Sequence, residues 1–431
     1  MDTLVGFSDE FGESLRRKRF ITNLFSGVVE SFGYEPVAVP IIERAEAYNP
    51  SIIGLSPWPE WNPNGCFFFE IENYDTTYEA PVSKSSALLI PEGTLSITRW
   101  LGAKLSDNNT KNTLPVRVYY NLQCFRNELI STLNTGKRRS FSQFGVEILG
   151  SNKIEADLEQ IILAYESLKK LTDGEMKIVL RVSCNELFLS IANKSGLNHI
   201  KRVKAKELLD TIAECKAGKD VERLPSARMG LEELLSEIQS RDIKYIWDYV
   251  IDRPAGLITN RDLLLLNDFG PDAMKRLSVI SSLLTSNGMP CEVDFCVVRS
   301  HEYYTGITFE IDLIGSRKRY VEVGGGGRYD RLLGNFTPPD GPKSVPCVGF
   351  AFGVDRLQSA LINEGKLVSS KKLFSNYDLA ESDNIEQRNL GDFGDNIDIS
   401  SATTVVQAYL NTVKTLSNER KEKRISIRFN T

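Results

Sequence analysis

The chain has 431 residues, 41% hydrophobic and 25% charged, with a formal net charge of −5. That is the composition of a globular protein with room for two or three domains. Its acidic balance argues against a surface devoted to nucleic acid, which needs clustered Lys and Arg. The opening residues MDTLVGFSDEFGESLRRKRF contain no signal-peptide apolar core, and no run approaches the roughly 18 apolar residues of a membrane span. The expectation is a cytoplasmic protein with no membrane role. Seven scattered cysteines without a CxxC pair read as reduced thiols, and two histidines are too few for a His-based metal site.

In chain order, residues 14–32 carry apolar residues at helical spacing and stop at Gly33, which predicts an amphipathic helix. The stretch YEPVAVPIIE alternates and reads as a strand. Further strands are expected at 66–72, 117–124 and 141–150, a helix at 153–171 and a strand at 177–183. From about 185 to 260 the pattern is helical and highly charged, as in an inserted module. Strand signals return at 291–298, 307–314 and 319–325, and a helix follows the turn near Gly353. After about 366 the chain turns polar and acidic and reads as a linker, with a last helix at 401–421 and a short strand-like RISIRF. Strands among long helices, with few βαβ units, predict an α+β fold around a mainly antiparallel sheet flanked by helices.

Four segments could carry chemistry. In LLIPEGT (88–94) a proline and a glycine bracket Glu92 before Thr94, a turn able to aim a carboxylate and a hydroxyl at an ammonium group. In CFRNE (124–128) and GKRRSFSQFGVE (136–147), alternation puts Arg126 with Glu128 on one face, and Gln143, Gly145 and Glu147 on another. Basic groups in the connecting loop, Lys137, Arg138 and Arg139, suit an anionic nucleotide beside a polar substrate. In VVRSHEYYTGITFE (297–310), Arg299 at a strand end can meet a carboxylate or phosphate. Finally, VGGGGRYDRL (323–332) and VGFAFGVDRL (348–357) permit close backbone approach, with Gly349 and Gly353 leaving space beside Arg356. Neither is a dinucleotide fingerprint nor a P-loop.

Together these segments resemble the three motifs of class II aminoacyl-tRNA synthetases, and specifically the histidyl-tRNA synthetase family. GYEPVAVPIIE looks like the dimer-forming first motif, FRNE with its following strand the second, and GFAFGVDRL the third. PEGT, RSHEYYTG and GGRYD resemble histidyl signatures, and their order agrees over roughly residues 1–360.

The resemblance implies activation of an amino acid by ATP, with Mg²⁺, through an aminoacyl-adenylate. On the matching positions Arg126 and Arg299 would stabilise the reacting centre and are the catalytic candidates. Arg126, Glu128, Lys137, Arg139 and Arg356 would hold ATP. Glu92, Thr94 and Gln143 would hold the α-amino group, and Glu147 and Tyr304 the imidazole nitrogens, with Tyr329 completing an amino-acid pocket that prefers histidine. It implies a homodimer and a catalytic domain formed by residues 1–185 and 261–365. A helical insertion would occupy 186–260, and a polar linker and short tail 366–431.

Departures from the family pattern set the rest of the reading. Ile90 stands where an arginine is usual, Leu129 and Ile130 replace an arginine–proline pair, and Ser300 and His301 replace Gly-Leu. No anticodon-binding domain is recognisable after Leu357. The expectation is a ligase that passes histidine or a related amino acid to an acceptor other than tRNA. The alternatives are the histidine-sensing regulatory subunit of ATP phosphoribosyltransferase and a divergent histidine–tRNA ligase.

Overall fold

The computed structural model describes residues 2–53, 63–76, 78, 80–105, 113–133, 137–299 and 301–366. The expected helix at 401–421 and the RISIRF strand lie outside these residues. Helix α1 (Glu13–Glu30) buries Ile21, Phe25, Val28 and Val29, a spacing that makes one apolar stripe. It gives way at Gly33, whose φ of 78° suits a residue without Cβ.

Eight strands form the main sheet. In chain order they are β1 (Glu35–Pro36), β5 (Val116–Phe125), β6 (Ser140–Leu149), β7 (Lys177–Cys184), β8 (Cys291–Val293), β9 (Ile307–Ile314), β10 (Arg319–Arg328) and β11 (Cys347–Gly353). Their spatial order is β1-β5-β6-β11-β10-β9-β7-β8. The six central strands pair antiparallel, while β1 and β8 add to the edges in parallel. A second, three-stranded sheet joins β2 (Ile42–Arg44), β4 (Ser83–Leu89) and β3 (Phe68–Asn73). The architecture is thus α+β with a large, mostly antiparallel sheet.

Two expected strands come out shorter. The YEPVAVPIIE stretch splits between the two sheets, because Pro36 and Pro40 have no N–H to continue a ladder. The strand expected at 291–298 ends at Val293. There the Asp294 carboxylate accepts from the Cys296 N–H at 3.0 Å and turns the chain.

The sheet separates two apolar clusters. Phe144, Val146 and Ile148 of β6 face the larger one, with α1 and α3 (Ile154–Leu171). Val118, Tyr120 and Leu122 of β5 face the smaller one, with helix α2 (Thr94–Gly102) and Tyr303, Tyr304 and Tyr329. The charged segment folds as α4 (Asn185–Lys194), α5 (His199–Lys216), α6 (Leu224–Leu235), α7 (Arg241–Asp252) and α8 (Asn260–Leu266). Helix α9 (Pro271–Ser286) leads back to β8, and α10 (Val354–Asn363) follows β11. Leu209, Leu231 and Trp247 of the segment join the same cluster as Leu180 and Phe309 of the sheet. At about 1.5–3 kcal/mol for each large apolar side chain buried, this shared core ties the helices to the sheet. No helix among the described residues is long and apolar enough to cross a membrane.

Candidate active site

The site lies on the β5–β6–β11–β10 face opposite α1 and α3. Its floor is Glu147, 1% exposed. Thr94 donates to Glu147 Oε1 at 2.9 Å and Tyr120 at 3.3 Å, and the Tyr329 hydroxyl donates to Oε2. Burial pushes this carboxyl up to about 8, although the three hydroxyls pull the other way. A carboxylate here therefore has ligand-like partners on both oxygens and a proton affinity in the physiological range.

Backbone space makes this arrangement possible. Gly349 pairs with Glu147 across β11 and β6, and a Cβ there would lie 1.5 Å from Glu147 Oε2. This corrects the expectation that Gly349 makes room for Arg356: it makes room for Glu147, while Gly353 does stand near Arg356. Gly145 and Gly93 likewise receive the ring of Tyr120, which a Cβ at Gly145 would meet at 2.1 Å.

The PEGT turn works as a helix start. Glu92, 3% exposed, accepts from the Thr94 and Leu95 N–H groups at 2.8 Å each, so its carboxylate sits at the N-terminus of α2. Burial raises its pKa, against those two hydrogen bonds. Gln143 accepts from the Gly93 N–H at 2.7 Å and fixes the turn to β6. Glu92, Thr94, Gln143, Glu147 and Tyr329 thus form one connected polar group.

Arg126 follows β5. Its Nε donates to the Pro91 carbonyl at 3.1 Å, and its guanidinium lies 5.0 Å from the Phe141 ring centroid. Glu128, 5% exposed, accepts from Lys137 at 3.3 Å. Arg139 donates to the Glu128 and Val5 carbonyls, so its guanidinium pins the loop and the N-terminal segment.

Arg299 defines a second centre. Its Nη1 lies 3.5 Å from Glu322 and 3.7 Å from Glu310, and its guanidinium stands 5.6 Å from the Tyr304 ring. A Cβ at Gly325 would come within 2.4 Å of that guanidinium, so the glycine run in β10 admits Arg299. Arg299 has φ 40° and Glu322 φ 54°. Two ion-paired residues held in the left-handed region store backbone strain, which tends to collect at functional sites. Arg356, half exposed, donates to the Glu322 carbonyl and lies 3.8 Å from its carboxylate. Arg181 neutralises the far side, 2.6 Å from Glu310 and bonded through two nitrogens to Asp312. Burial still raises Glu310 to about 7.

His301 stacks on Tyr304 at 6.2 Å with an interplanar angle of 13°. Burial, then the fields of Arg299, Arg126 and Lys206, hold its pKa well below the usual imidazole value. It is neutral at physiological pH. Among the described residues no group of three or more His, Cys, Asp or Glu side chains could hold a metal.

The structure joins Glu92, Thr94, Gln143, Glu147 and Tyr329 in one group and sets Tyr304 and Arg356 near the Arg299 centre, while Glu128, Lys137 and Arg139 contact one another and the N-terminal segment. Sequence reasoning missed Tyr120, Glu310 and Glu322. Glu310 carried a signal: in ITFEIDLI, Thr308, Glu310 and Asp312 share one side of a strand buried on both. Glu322 carried none that is local.

The sequence model described as histidyl-tRNA synthetase matches residues 89–357. The chain is 26% identical over 385 residues to a histidine–tRNA ligase of Brucella ovis, covering 84% of this chain and 71% of the relative. It is 28% identical over 359 residues to an ATP phosphoribosyltransferase regulatory subunit of Halothermothrix orenii, covering 82% and 74%. In three dimensions it is similar to a Bacillus halodurans protein described as an ATP phosphoribosyltransferase regulatory subunit/histidyl-tRNA synthetase. The TM-score is 0.63 at 20% identity, over 84% of this chain and 83% of that one. A histidyl-tRNA synthetase from Nostoc sp. PCC 7120 gives a TM-score of 0.62 at 20% identity, over 85% and 76%.

Proposed function

Because the chain belongs to the histidyl-tRNA synthetase family, we propose that it uses ATP to activate histidine or a close relative as an aminoacyl-adenylate, and then transfers it to an acceptor other than tRNA. The family assignment carries the class II synthetase-like domain. The observation that carries activation is the juxtaposition of the Glu147 group with two arginines, Arg126 and Arg299. A buried carboxyl ringed by three hydroxyls selects a side chain with its own polar atoms, since an apolar one would leave those groups unpaired. An imidazole meets that demand, with Glu147 and Tyr304 as partners and Glu92, Thr94 and Gln143 beside the α-amino group. Arg126 and Arg299 then offset charge that develops at the α-phosphate and carboxylate, while Arg356, Glu128, Lys137 and Arg139 serve the nucleotide. ATP would bring Mg²⁺ on its phosphates. Leu129 and Ile130, exposed where the family's loop carries charge, support an acceptor other than tRNA. Exposed Ile41, Ile42, Phe68 and Phe69 around the small sheet support a homodimer.

A second reading also has a specific observation. Glu322 engages both Arg299 and Arg356, which lowers the positive field available to ATP. That fits a histidine sensor like the relative from Halothermothrix orenii. ATP–pyrophosphate exchange with each amino acid separates the two. Histidine-dependent exchange that disappears in Arg299→Ala establishes activation. Histidine binding without exchange overturns it in favour of the sensor.

A further inference from the structure

One face of α5 lies within the field of the Arg299 centre, where Asp210 feels Glu310, Glu322 and Arg299, and the activation reading gives it no role. Lys206, Asp210 and Glu214 stand four residues apart, so they share that face. Lys206 is 1% exposed, with its ammonium 5.7 Å from the Phe188 ring. It forms no side-chain hydrogen bond or ion pair within the described residues. Burial lowers its pKa to about 8, against the field of Glu302. Asp210, one turn on, is part-exposed and likewise unpaired within the described residues. Arg299 Nε is also buried without a hydrogen-bond partner among them. A lysine and an aspartate at this spacing ordinarily close on each other. Here they stay apart, and a buried ammonium that has the field of Glu302 but no direct ion pair among the described residues gains from an anionic ligand. Glu214 is already held by Lys219.

We propose that this face is the acceptor site and that the acceptor is a free amino acid, its carboxylate on Lys206 and its amino group on Asp210. This rests on the activation reading above. The acceptor ammonium gives a proton to Asp210, and its nitrogen attacks the carbonyl carbon of the histidyl-adenylate. A C–N bond forms, the carbonyl C–O bond to the phosphate breaks, and AMP leaves with the electron pair. The nitrogen loses its second proton to solvent, and the product is an amide. Burial raises the Asp210 carboxyl, as do Glu310 of β9, Glu322 of β10 and Glu214 of its own helix, while Arg299 opposes them. A carboxylate whose proton affinity is raised in this way is a stronger base toward the acceptor ammonium.

The test uses the full chain with ATP, histidine, and each proteinogenic amino acid or β-alanine as second substrate, reading AMP release and product mass. At least one free amino acid should raise AMP release about tenfold or more, and its methyl ester, lacking the anion for Lys206, should not. Lys206→Met should raise that acceptor's KM about tenfold or more. Asp210→Asn should lower transfer about 100-fold and flatten its pH profile. Both variants are judged by the ratio of transfer to their own exchange rate, with melting temperature as the folding control. Exchange with no transfer to any amino acid overturns the proposal, as do esters that serve as well as acids. The wild-type ester comparison decides even if a variant does not fold. Absence of exchange in the wild type instead fails the activation reading, and the acceptor site with it.

Discussion

The two polar centres of the site are built on opposite terms. Around Glu147 each oxygen already has hydroxyl partners, the neighbouring glycines fit to the ångström, and nearly everything is buried. Around Arg299 the contacts are long, two backbones are strained, one guanidinium nitrogen has no partner among the described residues, and of its two carboxylates Glu310 is buried while Glu322 is part-exposed. A preformed, satisfied pocket suits recognition of one side chain. A half-satisfied, strained charge cluster suits charge that appears only during reaction, because stabilisation held for the transition state is what accelerates chemistry. On the proposed activation reading, selectivity belongs to one side of the site and chemistry to the other.

The sharpest way to break that comparison is Arg299→Ala. Exchange should fall by about 10²–10³, with histidine affinity, measured by calorimetry, changing far less. Equal losses in both would mean that the two centres are one. Next comes Glu147→Gln, expected to weaken histidine binding by about 10- to 100-fold through loss of a buried charge-capable acceptor. If kcat falls while affinity holds, recognition does not live at Glu147.

The same variant tests a pH dependence. The folded-state pKa of Glu147 lies near 8, above its ordinary value of 4.5. Its contribution to stability is therefore complete below about 4.5 and is lost as pH rises through 8. Melting temperature of the unliganded chain should drop across that window, and Glu147→Gln should flatten the slope. Glu310, raised to about 7, adds to the wild-type slope and persists in the variant.

Gly349→Ala forces a methyl against the Glu147 carboxylate and should destabilise by about 1–3 kcal/mol, read by urea denaturation. Unchanged stability would mean that β11 can shift away and the pocket is softer than its packing indicates. The smallest effect is expected at Glu322→Gln. Freeing Arg299 and Arg356 from a part-exposed carboxylate should tighten ATP binding about threefold. Weaker ATP binding would show instead that Glu322 positions the arginines for nucleotide.

Much of the scaffold was legible because it follows local periodicity. The β5–β6 hairpin, the 307–314 strand and the helix at 154–171 stand within a residue of where alternation and helical spacing put them. Prolines explain the broken strand at 35–44, and the early end of β8 reflects an Asp294 turn that no period announces. The Glu147 pocket was half legible: its carboxylate, hydroxyl and tyrosine were visible as motifs, but Tyr120 looked like an ordinary inward-facing core residue.

Taken by itself, the sequence determined the family, the α+β class and the residue types available for recognition and charge neutralisation. Each of these resides in short segments whose order along the chain is enough. Only the tertiary structure decided which groups meet: Tyr329 with Glu147 across 182 residues, Gly349 under Glu147, Glu322 on Arg299, and the Lys206–Asp210 face of α5 beside them. A period of 3.6 or 2 tells which side a residue faces, never what it faces. The partner is set by strand order and by how closely backbones without side chains can approach, and both are properties of the assembled sheet.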